Sequence, residues 1–171
     1  MQDINLWFLL LFVAWCAAIF LNDALIRRVP NKLLATAMAL QVCCFIVLGY
    51  GVSGTQPLAG LIGFTAGLVF FLPLYALSAM AGGDVKFFAV LGLLLGPAAL
   101  LPIFLLGSLL AGLHALIFYA SRSELLMPIF QVVSMRLDSS PFYRRILIQR
   151  GARVGIPYAA YLALAAVWMK Y

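Results

Sequence analysis

The chain has 171 residues, of which 66% are hydrophobic and only 9% are charged, and its mean hydropathy is +1.13. A soluble domain has about 25% charged residues, so this composition excludes a soluble globular protein and indicates one whose solvent is lipid. The formal net charge of +6 does not indicate nucleic-acid binding, because the basic residues lie in a few short loops between apolar runs. The length suits one membrane-embedded domain, residues 1–171.

Apolar runs follow one another along the chain, and most approach the roughly 20 residues that a helix needs to cross a bilayer. The predicted spans are 4–21, 32–50, 58–80, 87–95, a fifth that ends at 119, and 154–169. The predicted fold class is therefore all-α: a polytopic membrane protein with about six transmembrane helices and a basic cytoplasmic loop between the last two.

The division of 87–119 into two spans depends on glycine and proline. This stretch is too long for one ordinary crossing, and Gly96, Pro97 and Pro102 interrupt it. Since these residues favour turns, we expect the chain to reverse near 96–102.

Lysine and arginine predict the orientation. All but one of the 11 basic residues lie in the connections 22–32, 81–86 and 121–153, and the exception is Lys170. Cytoplasmic loops carry an excess of Lys and Arg, so these three connections are expected to face the cytoplasm. Within the longest one, residues 126–137 have apolar positions close to helical spacing. An interfacial amphipathic helix and an irregular basic loop both remain open there.

Two of the five acidic residues lie where a charge is costly. Asp23 ends the first apolar run, and Asp84 lies between the third and fourth. Acidic residues at membrane depth are rare and functional by default, and the predicted topology brings both to the cytoplasmic ends of helices. Two neighbouring carboxyl groups can share one proton, which is the basis of aspartic-protease chemistry. The pair is our candidate catalytic site.

Each acid taken alone also has a structural explanation. Asp84 would cap a helix that begins at Val85, and Asp23 would pair with Arg27 one turn later. Against the capping explanation, Gly82 and Gly83 precede Asp84 directly.

Glycines permit unusual backbone dihedrals and a close approach of a substrate chain, and a broken helix end exposes amides beside the carboxyl group. Gly82, Gly83 and Lys86 are therefore assigned to a candidate active-site loop around Asp84.

Other glycines are expected to serve packing. Gly60, Gly63 and Gly67 fall on one face of the third span, with a spacing that lets helices approach closely. Gly92 and Gly96 are expected to act similarly on the fourth span.

No metal or cofactor is expected. The three cysteines lie in apolar runs and form no CxxC pair, and the only histidine, His114, lies inside the fifth span, where packing or hydrogen bonding is its expected role. The sequence contains neither an HExxH motif nor a Gly-rich phosphate loop, so it does not indicate a metalloprotease or a nucleotide-binding enzyme.

Three segments together resemble a known family. Residues 82–87, with the sequence GGDVKF, resemble the second motif of bacterial type IV prepilin peptidases. Asp23, followed seven residues later by the Pro-Asn pair at 30–31, resembles their first motif, and 156–159 resembles a third shared segment. The resemblance runs from Asp23 to the last span. Ala81 stands where the family's GxGD motif has its first glycine.

The resemblance implies a GxGD-type intramembrane aspartic peptidase that removes the leader peptide from type IV prepilins or pseudopilins at the cytoplasmic face of the bacterial inner membrane. By motif position it implies that Asp23 and Asp84 are the catalytic pair. The implied partners are these substrates and the lipid bilayer. The chain starts almost at its first span and lacks the paired CxxC motifs of the larger members. It therefore resembles the short form found with Flp-type tight-adherence pili, without the methyltransferase portion.

One alternative comes from another class: a small membrane transporter, or a non-catalytic pilus-assembly subunit, in which the acids carry protons or hold helices together. Coupling acids in transporters lie near the bilayer midplane between repeated halves. This sequence has no internal repeat and places both acids at one face, which favours the peptidase. The oligomeric state is not predicted.

Overall fold

The structure, a computed structural model, describes residues 6–120, 141–150 and 155–170. Every regular element in these ranges is an α-helix, which confirms the all-α prediction. In chain order the helices are α1 (Leu6–Ile26), α2 (Asn31–Leu48), α3 (Pro57–Ala76), α4 (Gly82–Leu95), α5 (Pro97–Ala120), α6 (Pro141–Arg150) and α7 (Tyr158–Lys170).

Four of the described helices, α1, α2, α3 and α5, are long and apolar enough to cross a membrane. Helices α4 and α7 have 14 and 13 residues, or about 20 Å each, which is shorter than the hydrocarbon core of about 30 Å. The fourth and sixth crossings therefore stay predictions. Helix α4 nevertheless has more buried residues than any other described helix, 10 in all. It lies in the centre of the bundle, against α2, α3, α5 and α7.

The first helix continues past the predicted end of its apolar run. Asp23 lies in the last turn of α1, which reaches Ile26, and the amide of Arg27 still donates to the Asp23 carbonyl at 3.0 Å. Arg27 then has a left-handed φ of 58°, which ends the helix. A polar residue ends an apolar run without ending the helix, because the backbone hydrogen bonds do not depend on the hydropathy of the side chain.

The turn between the fourth and fifth predicted spans is shorter than expected. Helix α4 ends at Gly96, whose φ of +84° is readily adopted only by glycine, and α5 begins directly with Pro97. The expectation that Pro102 would also interrupt the chain is wrong, since α5 runs through it to Ala120. Gly96 accordingly forms a turn, and it also has the packing role predicted for it, since a Cβ on Gly63 of α3 would lie 2.9 Å from its carbonyl carbon.

Facing glycines hold α3 and α4 together, as the glycine spacing predicted. Gly63 of α3 and Gly92 of α4 lie so close that a Cβ on either would overlap the carbonyl of the other. A Cβ on Gly67 would lie 3.0 Å from the Cα of Ala89. The α3–α4 interface is the most extensive among the described helices. It fixes the position of α4, and therefore of Asp84 in its first turn.

Polar side chains cap the other end of α4. Gln41 is completely buried, and its amide donates to the Leu93 carbonyl at 3.0 Å while its oxygen accepts from the Val52 amide at 3.0 Å. The Thr55 hydroxyl donates to the Leu94 carbonyl at 2.7 Å. These bonds satisfy carbonyls that a helix C-terminus leaves without intrahelical partners.

Helix α6 lies within the loop predicted for 121–153 and packs against α1. The segment 126–137, for which an amphipathic helix was one of two open interpretations, lies outside the described residues.

Candidate active site

Asp23 and Asp84 line the same cavity, which has a volume of about 550 Å³. The two acids are only 6% and 9% exposed, so both are buried although they line the cavity. Asp23 comes from the last turn of α1 and Asp84 from the first turn of α4. The structure thus brings together the two acids that the sequence singled out.

The first turn of α7 holds both carboxyl groups. The amide of Ala159 donates to Oδ1 of Asp84 at 3.1 Å, and the next amide, that of Ala160, donates to Oδ2 of Asp23 at 3.0 Å. The first amides of a helix have no intrahelical partner, and they carry the positive end of the helix dipole. Consecutive amides therefore place the two carboxyl groups side by side.

The amides that bind the carboxyl groups come from two helix starts. The sequence predicted that a broken helix end at Gly82 and Gly83 would supply amides to the carboxyl group, and the Ala81 amide beside these glycines does stabilise ionised Asp84. The neighbouring helix α7 supplies the amides that bind both acids, through the segment that follows Pro157. The sequence had marked 156–159 only as part of a resemblance, with no role assigned.

Asp84 is not the cap of a helix that begins at Val85. Helix α4 begins at Gly82, Ala81 is the residue before it, and no side chain caps this end. The carboxyl group of Asp84 is free to lie in the cavity because the helix begins three residues earlier than that explanation requires.

Asp84 lies outside the four membrane-length helices, and its environment favours the protonated acid. Burial raises the pKa of Asp84 from 3.8 to about 7, and the charge of Asp23 acts in the same direction. The amides of Ala159 and Ala81 oppose this shift, because they stabilise the ionised form. A carboxyl group with a pKa near 7 can hold a proton at neutral pH and give it up during a reaction.

Arg27 does not form the predicted ion pair with Asp23. Its guanidinium Nη1 donates to the carbonyl of Gly155, just before α7. The left-handed φ of Arg27 turns its side chain away from the helical path, although the Arg27 amide still donates to the Asp23 carbonyl and the two opposite charges still attract. Arg27 therefore ties the end of α1 to the segment that leads into α7.

The candidate loop residues lie around the cavity in different ways. Gly83 and Lys86 line the cavity, together with Ala81. Gly82 instead faces Tyr75, where a Cβ would lie 3.2 Å from the ring. Neither glycine has a positive φ, so the expectation of an unusual dihedral is wrong. What Gly83 provides is space, since it has no side chain to project at the cavity wall.

Helix α7 is anchored to α5 by two side-chain hydrogen bonds that lie away from the cavity. The hydroxyl groups of Ser108 and Tyr158 are 2.7 Å apart, and the Tyr161 hydroxyl bonds to Nδ1 of His114. His114 thus has the hydrogen-bonding role expected for it. In the part of the chain that the structure describes, no group of three or more His, Cys, Asp or Glu residues is placed to hold a metal ion.

The helices are apolar and four of the described ones are long enough to cross a membrane. Two buried carboxyl groups accept hydrogen bonds from consecutive backbone amides. These features define a membrane protein with a candidate aspartic site. The model described as the type IV leader peptidase family matches residues 10–116, more than half of the chain. The chain therefore belongs to the type IV leader peptidase family, which confirms the resemblance seen in its motifs. Comparison with curated proteins and with solved structures gives no match. The matched region contains Asp23 and Asp84, whereas α7 lies beyond it.

Proposed function

We propose that this protein is an aspartic endopeptidase that removes the leader peptide from type IV prepilins or prepilin-like proteins, with Asp23 and Asp84 as its catalytic pair. Membership of the leader peptidase family supports this class of reaction. The observation that carries the assignment is the binding of both carboxyl groups to the consecutive amides of Ala159 and Ala160. That arrangement brings two acids from distant parts of the chain into one cavity.

The pair carries one proton in its active form. We assign this proton to Asp84, because burial and the neighbouring charge hold its pKa at about 7. Asp23 is then the ionised member and acts as the general base. Two nearby carboxyl groups that share one proton can work without a metal and without a covalent intermediate.

In the first step Asp23 takes a proton from water, the water oxygen attacks the scissile carbonyl carbon, and Asp84 gives its proton to the carbonyl oxygen. The product is a neutral tetrahedral diol. In the second step Asp23 gives its proton to the departing nitrogen and the C–N bond breaks. One hydroxyl of the diol returns its proton to Asp84 as the new carboxylic acid forms. Both side chains end in the protonation states in which they began.

The site is proposed to face the cytoplasm of a bacterium from its inner membrane. Arg27, Arg28 and Lys86 line the cavity, and they belong to two of the connections that the excess of basic residues assigns to the cytoplasm. A substrate whose basic leader stays in the cytoplasm and whose apolar helix stays in the bilayer has its scissile bond at this level. We further propose Flp-type prepilins as substrates, on the strength of the motif resemblance, and a single domain, which the shared hydrophobic core of the helices supports.

The test is cleavage of a prepilin by the purified protein in lipid vesicles, with the mass of the product as readout. Asp23→Asn and Asp84→Asn are each expected to lower kcat by at least a factor of about 100, because each removes a group that transfers protons. Asp138→Asn, at an acid in the predicted loop 121–153, serves as the matched control. Helix content by circular dichroism verifies that the variants are folded.

Near-normal cleavage by either folded variant would refute the catalytic pair. Absence of cleavage by the folded wild-type protein would instead favour the assembly-subunit alternative. Cleavage is also expected to persist in EDTA, since the mechanism needs only water and two acids. Activity that disappears in EDTA and returns with zinc would contradict an aspartic mechanism.

A further inference from the structure

An apolar groove leads away from the candidate active site. Asn31 and Lys86 line both the active-site cavity and this groove, which has a volume of about 200 Å³. We call it the α2/α3 groove, after the helices on its two sides. The two spaces therefore adjoin at Asn31 and Lys86.

The walls of the groove belong to two membrane-length helices, α2 and α3. Ala35 and Met38 of α2 form one wall, and Phe64 and Leu68 of α3 form the other. Both helices pack on α4, and the backbones of α2 and α3 stay apart, although the Phe45 ring of α2 reaches Gly60 of α3 beyond the groove. Their separation leaves a furrow whose floor is Ala89 and the rest of the α4 surface.

The groove runs along the helices for about two turns. Asn31, Ala35 and Met38 occupy one face of α2, and seven residues of helix correspond to about 10 Å. The groove therefore begins at the level of the carboxyl pair and continues toward the middle of α2 and α3. Apart from Asn31 and Lys86, at the end next to the active-site cavity, the lining of the groove is apolar.

Its position beside the active-site cavity distinguishes this groove from two others on the bundle. One apolar groove lies between α1 and α2, around Trp15 and Leu40, and another lies between α3 and α5, around Ala66 and Phe70. Neither shares a lining residue with the active-site cavity.

We propose that the α2/α3 groove binds the first two turns of the substrate's apolar helix, on the carboxyl side of the scissile bond. This inference rests on the proposed function, because it needs a substrate that is cut at the carboxyl pair and continues as a membrane helix. The groove adjoins the cavity, is mainly apolar, and lies between two membrane-length helices. The small, exposed side chain of Ala35 allows the close helix approach on which association in lipid depends.

The groove can be blocked without altering the carboxyl pair. Ala35 is exposed, so Ala35→Trp fills the groove without disturbing the core. Ala66 is likewise an exposed alanine on a membrane-length helix, but it lines the separate α3/α5 groove, so Ala66→Trp is the matched control. Two substrates are compared: a full prepilin in vesicles, and a soluble peptide that spans the cleavage site and lacks the apolar helix.

With Ala35→Trp, the KM of prepilin is expected to rise about tenfold relative to the KM of the soluble peptide, which corresponds to about 1.4 kcal/mol of lost binding. Ala66→Trp is expected to leave this ratio at the wild-type value. An unchanged ratio with Ala35→Trp would overturn the groove assignment and leave the proposed peptidase intact. A wild-type protein that cleaves neither substrate would instead refute the proposed function itself.

Cross-linking gives a second measurement that does not depend on the tryptophan variant. A photoreactive benzoylphenylalanine at position 35, in the Asp84→Asn background that keeps substrate uncut, is expected to capture the apolar helix of prepilin. The same probe at position 66 is expected to capture much less. Capture at position 35 of lipid alone, or of a second copy of this chain, would overturn the proposal.

Discussion

The hydrogen bond from the Ala159 amide to Oδ1 of Asp84 gives the most direct test of how the pair is tuned. Replacing alanine 159 by its α-hydroxy analogue, lactate, converts one backbone amide into an ester. The methyl side chain stays in place, the N–H that donates to Asp84 is lost, and the preceding carbonyl becomes a weaker ester acceptor. The expected result is a shift of the alkaline limb of the pH–rate profile to higher pH.

The size of the shift follows from the strength of that bond. A hydrogen bond to a charged group contributes about 1.5–3 kcal/mol, and one pKa unit corresponds to about 1.4 kcal/mol. The amide favours ionised Asp84, whose pKa burial has already raised to about 7. Without the amide, this pKa is expected to rise further, by about one to two units.

The sign for activity follows from the role of Asp84 as the protonated member. In the wild type, kcat is expected to fall about tenfold per pH unit above pH 7, as Asp84 loses the proton that it must donate. The ester variant retains this proton to higher pH, so its alkaline limb moves upward by about one to two units. The measurement is kcat on prepilin in vesicles across the pH range.

The control is the same ester substitution at Ala163, a buried alanine one turn further along α7. Its amide belongs to the interior of the helix and faces neither carboxyl group, so only a general loss of helix stability is expected there. An alkaline limb that stays at the wild-type pH, or moves equally in both ester variants, would refute the reasoning that the α7 amides set the pKa of Asp84.

Two further predictions concern glycines. Gly83→Leu is expected to abolish most cleavage by filling the cavity, whereas Ala81→Gly, which only removes a methyl group, keeps it; normal cleavage by purified Gly83→Leu would show that substrate does not approach this residue. Gly92→Ala is expected to lower the thermal midpoint in detergent by several degrees, because its Cβ would overlap the Gly63 carbonyl and overpacking costs about 1–3 kcal/mol. Gly112→Ala, where a Cβ meets nothing within 4 Å, is the control, and equal midpoints for the two variants would contradict tight α3–α4 packing.

The features that the sequence predicted correctly depend on local patterns and on the number of helices between two residues. An even or odd number of crossings decides whether two helix ends lie at the same face of the membrane. Apolar runs identify helices, and helices that alternate in direction bring the end of the first and the start of the fourth to the same side. That is enough to place Asp23 and Asp84 together without knowing any tertiary contact. The glycine face of α3 was also visible, because small residues four apart lie on one side of a helix.

The features that sequence reasoning missed depend on approach between distant segments or on a single backbone dihedral. The amides that bind the carboxyl groups lie 75 residues from Asp84 and 137 from Asp23. Every helix has such amides, so their sequence carries no mark of this role. The path of Arg27 depends on its left-handed φ, and α5 continues through Pro102 although proline usually interrupts a helix. None of these is encoded in residue spacing.

The two hydrogen bonds from α7 to the carboxyl groups have a consequence for the order of events during biosynthesis. Asp23 and Asp84 are made first, and Ala159 follows Asp84 by 75 residues. A nascent chain therefore carries both acids before it carries the two α7 amides that bind them. If the proposed function holds, the chain becomes able to cleave substrate only after α7 has been added.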